Sequence, residues 1–127
     1  MKNKQGQALV VILILMVVMV MVTTVAVAAV LVNSQNTSKE ELGNLALAAA
    51  ESGAENALLM LLRDPYGYTG DNLILPNGAR VEVTVPVGNY PKIVTAMGKN
   101  SYFTRTLIIG VNYTNNIMVV TSWKESY

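Results

Sequence analysis

Residues 8–32, ALVVILILMVVMVMVTTVAVAAVLV, contain no charged residue, no proline and no glycine, and no other stretch constrains the chain as strongly. A bilayer core of about 30 Å needs roughly 20 apolar residues at 1.5 Å of rise each, so this run is long enough to cross a membrane as a helix. Only Thr23 and Thr24 interrupt its apolar character, and a helical threonine can return its hydroxyl to a carbonyl one turn back. With the run set aside, about a hundred residues remain, enough for one small domain.

The chain of 127 residues has a formal charge of +1 and neither cysteine nor histidine. Disulfides, thiolate zinc sites, cysteine nucleophiles and histidine-based triads are thereby excluded. Acids and bases are interspersed, without the basic stripe that binds nucleic acid. No nucleophile–base pair stands out and no cofactor is called for, so the sequence does not read as an enzyme.

Lys2 and Lys4 are the only charges before Lys39. Cations on this flank favour a cytoplasmic amino terminus, with the carboxyl-terminal part on the other side. Three readings of the junction stay open. Ala26-Val27-Ala28 could serve as a signal-peptidase site, although the apolar run continues past it. The run could instead be an uncleaved signal anchor. In the third reading a short basic leader ends at Gly6, immediately before Gln7 and the apolar helix.

The junction Lys4-Gln5-Gly6-Gln7-Ala8-Leu9 resembles the class III signal of type IV pilins and pseudopilins. The resemblance implies cleavage by a prepilin peptidase between Gly6 and Gln7, with Gln7 the methylated first residue and residues 1–6 the leader. It implies that 7–32 serve first as the membrane helix and then as the filament core. Val11 stands where filament-body members carry Glu, so the resemblance points to minor pilins and pseudopilins lacking that acid, several of which sit at or near a filament tip.

Beyond the run, 33–65 reads as a continuation of the helix, with a fresh start near Thr37 or Ser38 as the competing reading, because Ser38 and Glu41 have capping-box spacing. Within 42–65, small residues repeat every four positions: Ala46, Ala50 and Ala54, and again Ala49, Gly53 and Ala57. They make a narrow ridge that lets another backbone approach. Leu47, Leu58, Leu61 and Leu62 extend the apolar face. The stretch Ala48-Ala49-Ala50-Glu51-Ser52-Gly53-Ala54-Glu55 is similar to the AAEAG-type segment of PilX-like minor pilins. Glu51 and Glu55, one turn apart, read as solvated or subunit-facing acids.

From 66 to 127 the pattern alternates. Strands are expected at 72–76, 80–85, 92–97, 102–111 and 117–123, with Asn77-Gly78 as the best hairpin signal and 98–101 as a turn. Gly98 to Thr106 also resembles the Gly-to-Thr-Arg-Thr hairpin of PilX-like domains. Without cysteines, closure falls to strand pairing and to Trp123 as a core or sheet-edge anchor. Tyr66, Tyr68, Tyr90 and Tyr102 flank loops, where they could line a ligand patch. Asp64, Asp71 and Asn72 lack the spacing of a calcium loop. The sequons at Asn36 and Asn112 are assigned no role.

The expected fold is α+β, a long amino-terminal helix packed on a four- to five-stranded antiparallel sheet. Residues 42–65 and 66–127 form one globular domain. By resemblance the chain is a single-pass subunit with a cytoplasmic amino terminus and an external carboxyl-terminal domain, reaching the cell surface or an extracellular filament after assembly. Its implied partners are membrane lipid, the prepilin peptidase, other pilin or pseudopilin subunits and the assembly machinery. The alternative is an uncleaved, signal-anchored surface domain that binds a ligand or matrix through its tyrosine-rich loops.

Overall fold

The computed structural model describes residues 4–126. One helix, α1 (Lys4–Arg63), is followed by β1 (Gly70–Ile74), β2 (Arg80–Thr84), β3 (Lys92–Asn100), β4 (Phe103–Thr114) and β5 (Ile117–Ser126). By compactness the chain divides between Lys39 and Glu40.

In the first unit, every helical residue whose side chain is described is exposed. The helix is long and apolar enough to cross a membrane. Thr23 Oγ1 donates to the Met19 carbonyl at 2.7 Å and Thr24 Oγ1 to the Val20 carbonyl at 2.8 Å, so their hydroxyls are satisfied within the helix. The same device operates where a new helix start competed. Thr37 and Ser38 donate to the Asn33 and Ser34 carbonyls, both at 3.0 Å, instead of capping, and the helix continues without a break.

The second unit is an α+β arrangement in which the rest of α1 packs on a five-stranded antiparallel meander ordered β1-β2-β3-β4-β5. Alternation places Val81 and Val83 of β2, Val94 and Ala96 of β3, and Leu107, Ile109 and Val111 of β4 on the helix side, all buried. Opposite them lie Ala46, Ala49, Ala50, Gly53, Ala54, Ala57 and Leu61, also buried. Leu62 departs from expectation, being 54% exposed because it falls on the far side of the helix.

Helix and sheet interlock through two glycines. A Cβ on Gly98 of β3 would collide with the Ala46 carbonyl oxygen and the Ala50 backbone, and one on Gly53 of α1 would collide with the Val81 side chain. Val81 pairs with Gly98 across β2 and β3, so the valine under the glycine of one layer sits beside the glycine that admits the other layer. Gly98 therefore lies inside β3, where the sequence pattern suggested a turn. β3 runs on to Asn100, and a two-residue turn, Ser101 (φ 54°) and Tyr102, leads into β4.

The strand limits move for local reasons. β1 ends at Ile74, two residues before the expected limit, because Leu75 pairs with Ala79 and leaves Pro76-Asn77-Gly78 as the loop. Pro76 has no N–H to offer a ladder, and Gly78 takes φ 82°. Asn115 and Asn116, at φ 53° and 61°, make the β4–β5 turn, the double left-handed geometry that favours asparagine. Trp123, opposite Ile109 on the edge strand β5, is 43% exposed. Arg105 also closes the sheet. Its Nη1 donates to Glu125 Oε1 at 2.7 Å, and its guanidinium lies against the helix at Gly43.

Replacing Gly98 with Ala should destabilise the chain by about 2 kcal/mol or more, since the neighbour in the way is helix backbone. Gly53→Ala should cost less, because the obstacle is the Val81 side chain rather than backbone and the helix gains about 1 kcal/mol of propensity. Denaturant midpoints of the full chain in detergent, read by Trp123 fluorescence, compare the two.

Candidate functional site

At the amino-terminal end, Lys2 lies outside the described residues. Lys4, Gly6 and Gln7 are helical at the start of the described residues, Gly6 and Gln7 both exposed, with open space around the Gly6 Cα. Val11 is 52% exposed on the same helix.

In the second unit the ridge residues Ala46, Ala50, Gly53, Ala54 and Ala57 are brought together under the sheet. Glu51 and Glu55 are exposed on the opposite side of the helix. The ridge is thus consumed by the chain's own sheet, and the two acids are left for solvent or a partner.

A second cluster forms where α1 ends. Tyr66 packs edge-on to Tyr90 with ring centroids 5.7 Å apart, and Tyr113 lies 5.5 Å from Tyr90. Lys92, only 2% exposed, points into the group. Its Nζ donates to the Pro65 carbonyl at 3.1 Å and lies 5.0 Å from the Tyr90 ring centre and 5.8 Å from that of Tyr66. Tyr90 Oη donates to the same carbonyl at 2.8 Å. A buried ammonium is tolerable here because it meets two ring faces and a carbonyl at the negative end of the helix dipole.

Of the tyrosines expected at loops, Tyr66 and Tyr90 join this cluster. Tyr68 packs against the core, and Tyr102, 98% exposed, stands at the other end of β3. Tyr113 and Lys92 were not singled out by sequence reasoning. Strand phase could have found both, since Lys92 alternates with Val94 and Ala96, and Tyr113 with Val111 and Ile109. The rings face Lys92 and one another, which makes the cluster a clamp between helix end and sheet.

Asp64 Oδ1 accepts from the Gly67 amide at 2.9 Å and Asp71 Oδ1 from the Asn72 amide at 2.8 Å. Among the described residues no three metal-type ligands gather. Burial, with Tyr66, Tyr113 and Asp64 adding to it, raises the Tyr90 pKa above the ordinary tyrosine value, and burial with Asp71 nearby raises that of Tyr68.

These observations define an α+β chain with one amino-terminal helix long and apolar enough to cross a membrane. Compared with known proteins, the chain matches no family model, no curated protein and no solved structure.

Tyr68 and Tyr90 hold their protons longer folded than unfolded, so stability is full below about pH 10 and falls as pH rises through their folded values. Phenolate absorbance should show these tyrosines titrating after the rest. Tyr90→Phe should cost about 1 kcal/mol near neutral pH and flatten the alkaline decline of the melting temperature.

Proposed function

We propose that the chain is a structural subunit of a type IV filament, of the minor-pilin or pseudopilin kind, anchored in the membrane and assembled through α1. The observation that carries this reading is the continuity of α1. A single helix joins the Lys4-Gln5-Gly6-Gln7 junction, an apolar stretch with exposed side chains, and a small-residue ridge docked on an antiparallel sheet.

An apolar helix with every backbone group bonded internally suits a bilayer, and it suits equally the interior of a helical filament, where neighbouring helices replace lipid. Thr23 and Thr24 cost little in either setting because their hydroxyls are spent on the helix itself. In this reading Lys2 and Lys4 hold the leader in the cytoplasm, the prepilin peptidase cuts between Gly6 and Gln7, and the assembly machinery lifts the helix out of the lipid. The second unit then lies outside the cytoplasm, at the cell surface or on an extracellular filament. Val11 removes the carboxylate expected of a body subunit and favours a place at the tip.

The alternative, a signal-anchored domain that binds a ligand through tyrosines, has less support. The best exposed rings, Tyr66 at 59% and Tyr102 at 98%, lie towards opposite ends of β3 and form no common surface.

Mass spectrometry of the chain purified from membranes of a prepilin-peptidase-bearing host should find Gln7, methylated, as the first residue. Gly6→Leu should leave the leader attached. A chain that keeps Met1, or begins at Ala29, overturns the reading.

A further inference from the structure

Within the second unit the sheet is covered on one side only. The outer face presents Ile93, 59% exposed, together with Met97 and Ile108, and the exposed cations Arg80, Lys99 and Lys124 against the single acid Glu82. Lys99 and Glu82 are only loosely paired at 3.7 Å. A groove on this face is bordered by Asn72, Ile74, Arg80, Glu82 and Lys99. On the opposite side of the two layers, the free face of α1 carries Glu41, Glu51 and Glu55, flanked by exposed Leu45, Leu59 and Leu62, with Arg63 at its end. One surface is basic and partly apolar, and the other is acidic and partly apolar.

We infer that the free face of α1 in one copy docks on the outer sheet face of a second copy. Like-to-like pairing on either surface sets charges of the same sign against each other, which disfavours a two-fold contact and leaves the face-to-back one. A helix on the outer face completes a helix–sheet–helix layering and covers the apolar residues between the cations. Since the two surfaces lie on opposite sides of one unit, each copy that docks presents a fresh surface for the next. This deepens the filament reading and rests on it only for the supply of neighbouring copies.

The chain has no cysteine, so introduced thiols report cleanly. Full-length Ser52→Cys and Thr84→Cys chains, co-expressed in one membrane and oxidised, should give a mixed disulfide dimer, with dimers of either variant alone much weaker. The double change Glu51→Lys and Glu55→Lys should lower the mixed yield by roughly fivefold, the scale of losing two exposed ion pairs, and added Arg80→Glu and Lys99→Glu in the partner should restore it. Raising salt should lower the yield of the unaltered pair. Dominant Ser52→Cys self-dimers, no mixed dimer, or failure of the charge swap to restore the yield overturns the inference. The amino-terminal mass is read on the same samples. A chain beginning at Gln7 without mixed dimers sinks this contact and leaves the filament reading standing, and mixed dimers of a chain that keeps Met1 do the reverse.

Discussion

The second unit depends on how closely two backbones approach. At Gly98 the β3 backbone comes so near the helix at Ala46 and Ala50 that no side chain fits between them. A helix carrying leucine at those positions would stand well off the sheet, and the small valine- and alanine-rich core would be left with voids that cost packing energy. The alanine ridge, the glycine in β3 and the modest size of Val81, Val94 and Ala96 are thus one choice expressed on two layers. Leu61, among the largest fully buried side chains, lies towards the end of the helix.

Both ends of this thin core are closed without a disulfide. Where the helix enters, Arg105 lies against Gly43 and reaches Glu125. Where it leaves, Lys92 and Tyr90 share the Pro65 carbonyl under a cover of tyrosine rings. In each case a long side chain buries its apolar stem and brings its charge to a partner at the rim. The cation therefore seals the core as much as it pairs.

The helix, the alternating strands and the face of the ridge were legible in the sequence because each rests on a period that composition alone sets up. Gly98 was misplaced because a glycine marks a turn and a close approach equally well. Only the identity of what lies above it, two alanines far away in the chain, tells the cases apart. Leu62 was misplaced for a simpler reason, since an apolar residue at a helix end carries no phase of its own. Lys92 and Tyr113 were passed over because a charged or phenolic residue inside a strand reads as outward until its neighbours' phase is counted. The Gly6–Gln7 junction is a different kind of signal. Its reading rests on resemblance, and the local geometry adds only an exposed glycine with open space around it.

The sheet order has a bearing on how such a chain is made. Every strand pairs with the one that precedes it, so each hairpin can form as soon as its second strand is available, and no strand must wait to be inserted between two others. Contacts among strands are local, the kind that form quickly. In such a meander the order of the strands along the chain is also the order of pairing. The last strand to arrive, β5, takes the edge, where its absence for a moment leaves the helix-covered strands already complete.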